Sequence, residues 1–369
     1  MKNICSFLSV IFVLYFPVVA EEFAVKSVLQ PYIDNGEMAG FVTAIASKDE
    51  ILQLDTLGYQ DRETKKPMQT DTLFWVASQS KPITATAVMI LADDGKLNLD
   101  EPITTYLPEF SELRVLLIKN ETQTILVPCE HPPTLRQLLS HTSGMDWGGQ
   151  IHRKFGFDIL SFAQEATLFP TIPFVSQPGT KSLYSNMGIN TAAMIVERIS
   201  GQPYAVFLQQ RLFEPLEMTN TTFIPDLNRL AKPYRFDKST KKIVETENTR
   251  FSHPLDNRNR QPDAAAGLFS TAKDIVNFYR MLLGGGVFED RRILSENSVR
   301  EITSKQTGVL PQQYGLGMEI YKDGFGHGGT FGTMTKTRTT KNRILVYMTQ
   351  EQQLPKAIEA RETFFKLLP

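Results

Sequence analysis

What most constrains this chain is where its two kinds of apolar periodicity fall: strand-like runs at both ends and helical spacing between them. Near the start, residues 40–46 (GFVTAIA) and 51–57 (ILQLDTL) flank the polar Ser47-Lys48-Asp49-Glu50, a hairpin signature. Toward the end, residues 314–321, 330–339 and 344–349 are short β-rich runs divided by Asp323-Gly324 and by Thr340-Lys341-Asn342. Between these ends, Ile83, Ala87, Ile90 and Leu91 share one face of a helix that stops at Gly95, and residues 192–199 form another ending at Gly201. Distant β runs must pair with each other to satisfy their backbones. The pattern therefore predicts an α+β fold: one antiparallel sheet built from the N- and C-terminal segments, flanked by helices, with an inserted, mainly helical lobe. The sheet lobe is expected over about residues 21–80 and 262–369 and the helical lobe over about 81–261, with a cleft between them. No repeat, low-complexity tract or linker divides the chain, so it reads as one catalytic unit.

With 41% hydrophobic and 21% charged residues, the 369-residue chain has enough apolar material for a sizeable core. A net charge of −1 leaves no basic surplus for tracking phosphates, which excludes a nucleic-acid role and favours a small-molecule or peptide substrate. Lys2 precedes an uncharged apolar stretch from Ile4 to Ala20, and Val18-Val19-Ala20 supplies small residues just before Glu21-Glu22. This predicts a signal peptide over residues 1–20, cleaved near Ala20, and hence a periplasmic or secreted protein with no stable membrane span in the mature chain. The other reading is a retained anchor, though the run is shorter than the roughly 20 apolar residues a bilayer requires. Removal of that segment leaves Cys129 alone, so the exported domain is held by its core rather than by a disulfide.

A nucleophilic serine needs a neighbour that takes its proton, and Ser-x-x-Lys at a helix start provides one, because positions i and i+3 lie on one face. The pattern occurs at Ser78–Lys81, at Ser239–Lys242 and at Ser270–Lys273. Ser239 sits in a charged turn, and Ser270-Thr271 precedes Asp274 in the manner of an N-cap. Only Ser78 follows an apolar run, Leu73-Phe74-Trp75-Val76-Ala77, and opens a helix whose burial would desolvate Lys81 and so lower its proton affinity. The blander reading has Ser78 or Ser80 capping the helix and Lys81 in water. Tyr184-Ser185-Asn186, the one Tyr-x-Asn, can act as proton relay and amide orienter, or merely as a turn in which Asn186 caps the next helix.

The third element is Gly326-His327-Gly328-Gly329-Thr330, at the head of an expected strand. Small residues there let a substrate approach and leave an amide N–H free for an oxyanion. The formal Gly-x-Gly-x-x-Gly from Gly324 to Gly329 precedes a strand rather than a helix, which excludes a dinucleotide site. His131, His141, His152, His253 and His327 are scattered without metal-ligand spacing, and no Gly-x-Ser-x-Gly elbow is present.

Ser78-x-x-Lys81, Tyr184-x-Asn186 and His327-Gly328-Gly329, in that order and at wide spacing, resemble the serine β-lactamase and penicillin-binding-protein superfamily, in its class C and esterase-like branch. Residues 133–145 (PTLRQLLSHTSGM), 266–274 (AGLFSTAKD) and Pro215-Leu216-Glu217-Met218 extend the resemblance over most of the chain. It implies a three-layer α/β sandwich of the β-lactamase/transpeptidase type and acyl transfer through Ser78, with Lys81 and Tyr184 sharing the acid–base work. It also implies that Asn186 orients Lys81 and the substrate amide, and that the N–H groups of Ser78 and Thr330 form an oxyanion hole; His327, Gly328 and Gly329 line the substrate site. No metal or organic cofactor is implied. Where many β-lactamases of the family have Lys-Thr-Gly, this chain has His327-Gly328-Gly329, the form resembling esterases, D-amino-acid peptidases and some carboxypeptidases. A neutral histidine is a weak carboxylate anchor, which shifts the expected substrate from β-lactams toward an ester or a D-amino-acid-type amide, cell-wall peptides included. A class C-like β-lactamase and a catalytically quiet scaffold that holds cell-wall peptides are the alternative readings.

Overall fold

The computed structural model describes residues 23–352 and 355–368; the expected signal peptide lies outside the described residues. The N-terminal segment supplies α1 (Val25–Asp34), β1 (Gly40–Ala46), β2 (Ile51–Asp61) and β3 (Lys66–Pro67). The C-terminal segment supplies β4 (Glu319–Tyr321), β5 (Gly324–Gly328), β6 (Met334–Arg338) and β7 (Arg343–Met348). Together they form a seven-stranded antiparallel sheet in the order β4-β5-β6-β7-β1-β2-β3. The join between the chain's two ends is the β1–β7 ladder, in which Val42 faces Met348 and Ala46 faces Ile344.

Every residue of β1 is buried, because both sheet faces are covered. Alternation assigns its side chains. Phe41 and Ile45, with Leu345 and Tyr347 of β7, pack against Val25, Leu29, Phe364 and Phe365. Those partners come from α1 and from the C-terminal helix Pro355–Lys366. Val42, Ala44 and Ala46, with Ile344, Val346 and Met348, point the other way into the main core. Each large apolar side chain buried there contributes roughly 1.5–3 kcal/mol. The result is the expected three-layer arrangement.

Of the main-core helices α2 (Ser80–Asp93), α3 (Asn186–Ser200) and α4 (Ala272–Leu283), α4 packs directly on the second face against β1 and β7, while α2 and α3 pack on each other. The sequence predicts a single apolar stripe on α2, yet every residue from Ser80 to Leu91 is buried. Its hydroxyls are satisfied internally: Thr86 Oγ1 donates to Pro82 O (2.9 Å), and Thr84 Oγ1 to Ala264 O (2.7 Å). A helix enclosed on all sides holds its first turn rigidly.

The middle of the chain is mainly helical but carries two hairpins, Arg114–Lys119 with Thr124–Pro128 and Tyr234–Asp237 with Lys242–Glu245. The second pairs in parallel with Glu351–Gln352, tying the inserted lobe to the end of the sheet. A short helix, Gly149–Phe155, follows the 133–145 segment. One expectation changes: the β run expected over 330–339 begins only at Met334, because Gly329 N–H donates to Thr333 O (2.7 Å) and Gly332 N–H to Gly329 O (3.0 Å), closing a tight turn. No helix among the described residues is long and apolar enough to cross a membrane.

Candidate active site

Phe74 and Trp75 pair with Phe269 and Ser270, and the chain then winds through a 3₁₀ turn, Ala77–Gln79, into α2. Ala77 has φ 46°, in the left-handed region where a non-glycine residue carries about 1–2 kcal/mol of strain. The turn is clamped: Val76 N–H donates to Leu268 O (3.0 Å), and Ser80 Oγ donates to Ala77 O (2.7 Å) while accepting from Leu268 N–H (3.3 Å). Ser80 thus takes the structural role, and Ser78 alone in this turn is lifted to partial exposure.

Lys81 lies one turn along α2 with no exposed surface, and its Nζ donates to Ser78 Oγ (3.1 Å) and to Ala265 O (2.8 Å). Burial lowers its proton affinity to about 7, opposed by the charge of Asp263. The reading of a solvated lysine is thereby replaced. The competing Ser-x-x-Lys patterns do not assemble: Ser239 bonds to Asp237 on an exposed hairpin turn, and Ser270 is buried against Thr221 Oγ1 (2.8 Å). Thr271 caps α4 beside it.

Tyr184 closes the site from the other side, its ring 4.6 Å from Lys81 Nζ and its hydroxyl turned toward Ser78. The residue keeps 40% of its surface exposed, yet desolvation at the hydroxyl pushes the phenol above its ordinary range, so it stays protonated near neutrality. Its position is set by Ser185, the N-cap of α3, whose Oγ accepts from Gly188 N–H (2.9 Å) and donates to Asp146 O (2.6 Å). Asn186 is therefore not the cap. Nor does it orient Lys81, whose bonds go to Ser78 and Ala265; Asn186 Oδ1 is buried without a partner.

His327 does not face the cleft as expected of a substrate contact. Its ring is buried (2% exposed) and ends a chain of bonds that also holds Tyr184. Ser185 N–H donates to His141 Nδ1 (3.2 Å), so the neutral ring's Nε2–H donates to Tyr314 Oη (3.2 Å). The Tyr314 hydroxyl then donates to His327 Nε2 (2.8 Å), and His327 Nδ1–H to Gly328 O (2.8 Å). Burial holds both imidazoles neutral, His327 down to about 4 and His141 well below its ordinary value. The His141 ring lies 4.3 Å from that of Tyr184.

β5 ends at Gly328, and the turn after it carries Gly329, half-buried like Gly328, and exposed Thr330, whose N–H donates to no group among the described residues. A Cβ at Gly329 would strike Val76 O and Thr333 Oγ1, so glycine is what lets this turn close onto the segment before Ser78. Thr335 Oγ1 fastens the same hairpin to Gln79 Oε1 (2.7 Å). Along another wall, Phe157 and Phe331 pack on Ala77, with the His152 ring 4.5 Å from Phe157 and the Arg250 guanidinium 5.5 Å over Trp147. A hollow of about 960 Å³ between Arg62, Tyr234, Lys242 and Lys356 lies apart from these residues, so the site is located by its chemistry.

Sequence reasoning overlooked Asp263 and Asn190. Asp263 accepts from Ala266 N–H (2.6 Å) and Asn190 Nδ2 (3.1 Å), shaping the loop whose Ala265 carbonyl holds Lys81. Its trace in the sequence is an Asp just before Ala264-Ala265-Ala266-Gly267, the setting of a side-chain-to-backbone turn.

Comparison with known proteins agrees with this geometry. The family model described as Beta-lactamase matches residues 25–365. An uncharacterized protein of Mycobacterium tuberculosis is 32% identical over 355 residues, covering 86% of this chain and 87% of that one. Esterase EstB of Burkholderia gladioli is 33% identical over 209 residues, 53% of this chain and 50% of its own. The solved structure of EstCE1, a hydrolase with promiscuous acyltransferase activity, superposes with a TM-score of 0.76 at 23% identity, covering 92% of this chain and 97% of that one. Sheet topology and a family match across nearly the whole length lead to one conclusion: this chain belongs to the β-lactamase family and is a serine hydrolase.

Proposed function

We propose that the protein hydrolyses an ester, or a D-amino-acid-type amide, through an acyl-enzyme on Ser78. The observation that carries this reading is Lys81 Nζ, fully buried, 3.1 Å from Ser78 Oγ and with its proton affinity brought near neutrality. Neutral Lys81 takes the Ser78 proton as Oγ attacks the acyl carbon. The oxygen that becomes negative is met by the N–H groups of Ser78 and Thr330. As the tetrahedral adduct collapses, Tyr184, a phenol kept protonated by desolvation, gives its proton to the leaving oxygen or nitrogen and regains one from Lys81. Water then attacks the acyl-enzyme by the same route, releasing the acid and restoring Ser78. Asn186 Oδ1, a buried acceptor without a partner, is available to a substrate N–H.

Ester substrates with apolar acyl groups are favoured because β5 offers a neutral, inward-turned His327 where a carboxylate anchor would otherwise stand, and because Phe157 and Phe331 cluster with Ala77, next to Ser78, with Trp147 joined to them through the His152 ring. The named esterase among the relatives supports the same choice. The apolar run before Glu21 supports export, which a mature N-terminus at Glu21 in the exported fraction would establish. Ser78→Ala is expected to abolish labelling by a fluorophosphonate probe and turnover of p-nitrophenyl esters; a variant that still labels would overturn the nucleophile. Nitrocefin and D-alanyl peptides assayed alongside decide the substrate class. Fast nitrocefin turnover that depends on Ser78 would favour a β-lactamase over an esterase.

A further inference from the structure

Behind Lys81, away from the cleft, lies a buried polar cluster that the acyl transfer just described does not use. Asp263 is 2% exposed, Glu165 7% and Asn190 1%. The single amide nitrogen of Asn190 reaches both carboxyls, at 3.1 Å from Asp263 Oδ2 and 3.4 Å from Glu165 Oε1. The other end of that amide accepts from Ala265 N–H (3.1 Å), and the Ala265 carbonyl in turn accepts from Lys81. Glu165, in the helix Phe162–Leu168, is thereby linked to the amine beside Ser78.

The two carboxyls are not equivalent. Asp263 has a donor on each oxygen, Ala266 N–H at 2.6 Å and Asn190 Nδ2. Glu165 has only the longer bond, and its Oε2 is buried without a partner. Two carboxylates cannot both stay ionised in one dry pocket, so the one with more donors keeps the charge and the other keeps a proton.

We infer that Asp263 is the counter-ion that fixes how tightly Lys81 holds its proton, and that Glu165 is kept protonated so that only one negative charge faces the lysine. Both are positioning residues, since neither touches Ser78. Electrostatics run the same way: burial raises the proton affinity of both, that of Glu165 well above the ordinary range with the Asp263 charge adding to it. Asp263 is also the charge that offsets the effect of burial on Lys81. Among the described residues, the other titratable groups around this cluster include Tyr184 ahead of α3, His141, His152 in Gly149–Phe155, His327 in β5, and Tyr204 beside Asp263; farther out, the charge of Glu319 acts on Tyr184 and His327 and that of Arg250 on His152. Burial pushes the three histidines down and the two tyrosines up, so those rings are neutral near pH 7. With no carboxylate behind it Lys81 would shed its proton too readily to be an effective base, and with two it would hold the proton through neutrality.

The inference rests on Lys81 as the base that activates Ser78, and the test separates the two. The rate of Ser78 labelling by a fluorophosphonate probe is measured from about pH 5 to 9. In Asp263→Asn the acid limb is expected to move to lower pH by about half a unit or more, whereas Glu165→Gln, a neutral isostere of the protonated acid, leaves the limb in place. An Asp263→Asn limb that does not move, or a Glu165→Gln limb that moves as far, overturns the inference. Should Asp263→Asn fail to fold, infrared difference spectroscopy at pH 7 decides: a protonated-carboxyl band is expected in the wild type minus Glu165→Gln difference, distinct from that of Glu351, which Glu351→Gln removes, and a difference spectrum without such a band overturns the inference. Lys81→Ala that still labels with the wild-type pH profile would sink the base assignment itself, an outcome distinct from any of these.

Discussion

Lys81 is where burial becomes chemistry. In water its amine would be an ammonium at any physiological pH; with no exposed surface it gives up its proton near pH 7. Because Lys81 must be neutral to accept the Ser78 proton, kcat/KM for a p-nitrophenyl ester is expected to rise as pH increases through about 7, and a rate that falls over that interval would contradict the mechanism. That Ser78, Lys81 and Tyr184 come together was legible in the sequence because residues three apart share a helix face and because three weak patterns occur in family order. Asp263 was not, since it reaches Lys81 through space from a distant loop. His327 was legible as a residue but not in its orientation. Side chains alternate along a strand, so a shift of one position decides whether the histidine meets the substrate or, as here, Tyr314 inside the protein.

At the level of elements, the site depends on how closely the hairpin of β5 and β6 approaches the turn before α2. Gly329 permits that approach, and Gly329→Ala is expected to push the hairpin away from Val76, lowering kcat/KM by about tenfold or more and thermal stability by about 1–3 kcal/mol. Enzyme kinetics and a denaturant melt on the same preparation check both; unchanged values would mean that the hairpin has room to spare. The strands of the two chain ends could be read from their β-branched runs, α3 from the apolar spacing of residues 192–199, and α4 from the Ser270-Thr271 that precedes Asp274. The hairpins of the middle lobe escaped notice because they are short and half-exposed, so they carry little period-2 signal. On α2 the reading of one apolar stripe fell short, since small residues and threonines on the other faces are buried as well.

For the molecule as a whole, Glu351 ties the two ends together, its Oε1 accepting from Ala39 N–H (2.6 Å) while Oε2 is buried without a partner. Burial raises this carboxyl from 4.5 to about 8, so between those values the folded protein holds a proton that the unfolded chain has released. The corresponding stability is full below pH 4.5 and is lost as pH rises through about 8. Glu351→Gln is expected to flatten that decline by an amount on the order of 1 kcal/mol or more, measured by urea unfolding at acidic, neutral and alkaline pH; a slope equal to that of the wild type would refute it. β1 lies between β2, its neighbour in sequence, and β7, so that Val42 must wait for Met348. During synthesis, Ser78 and Lys81 emerge from the ribosome long before Gly329, Thr330 and β7, and an unfinished chain carries a serine with nothing opposite it. Completion of the sheet and the onset of reactivity are therefore a single event, and a proteolytic nick that frees the last strands would silence the enzyme by the same route.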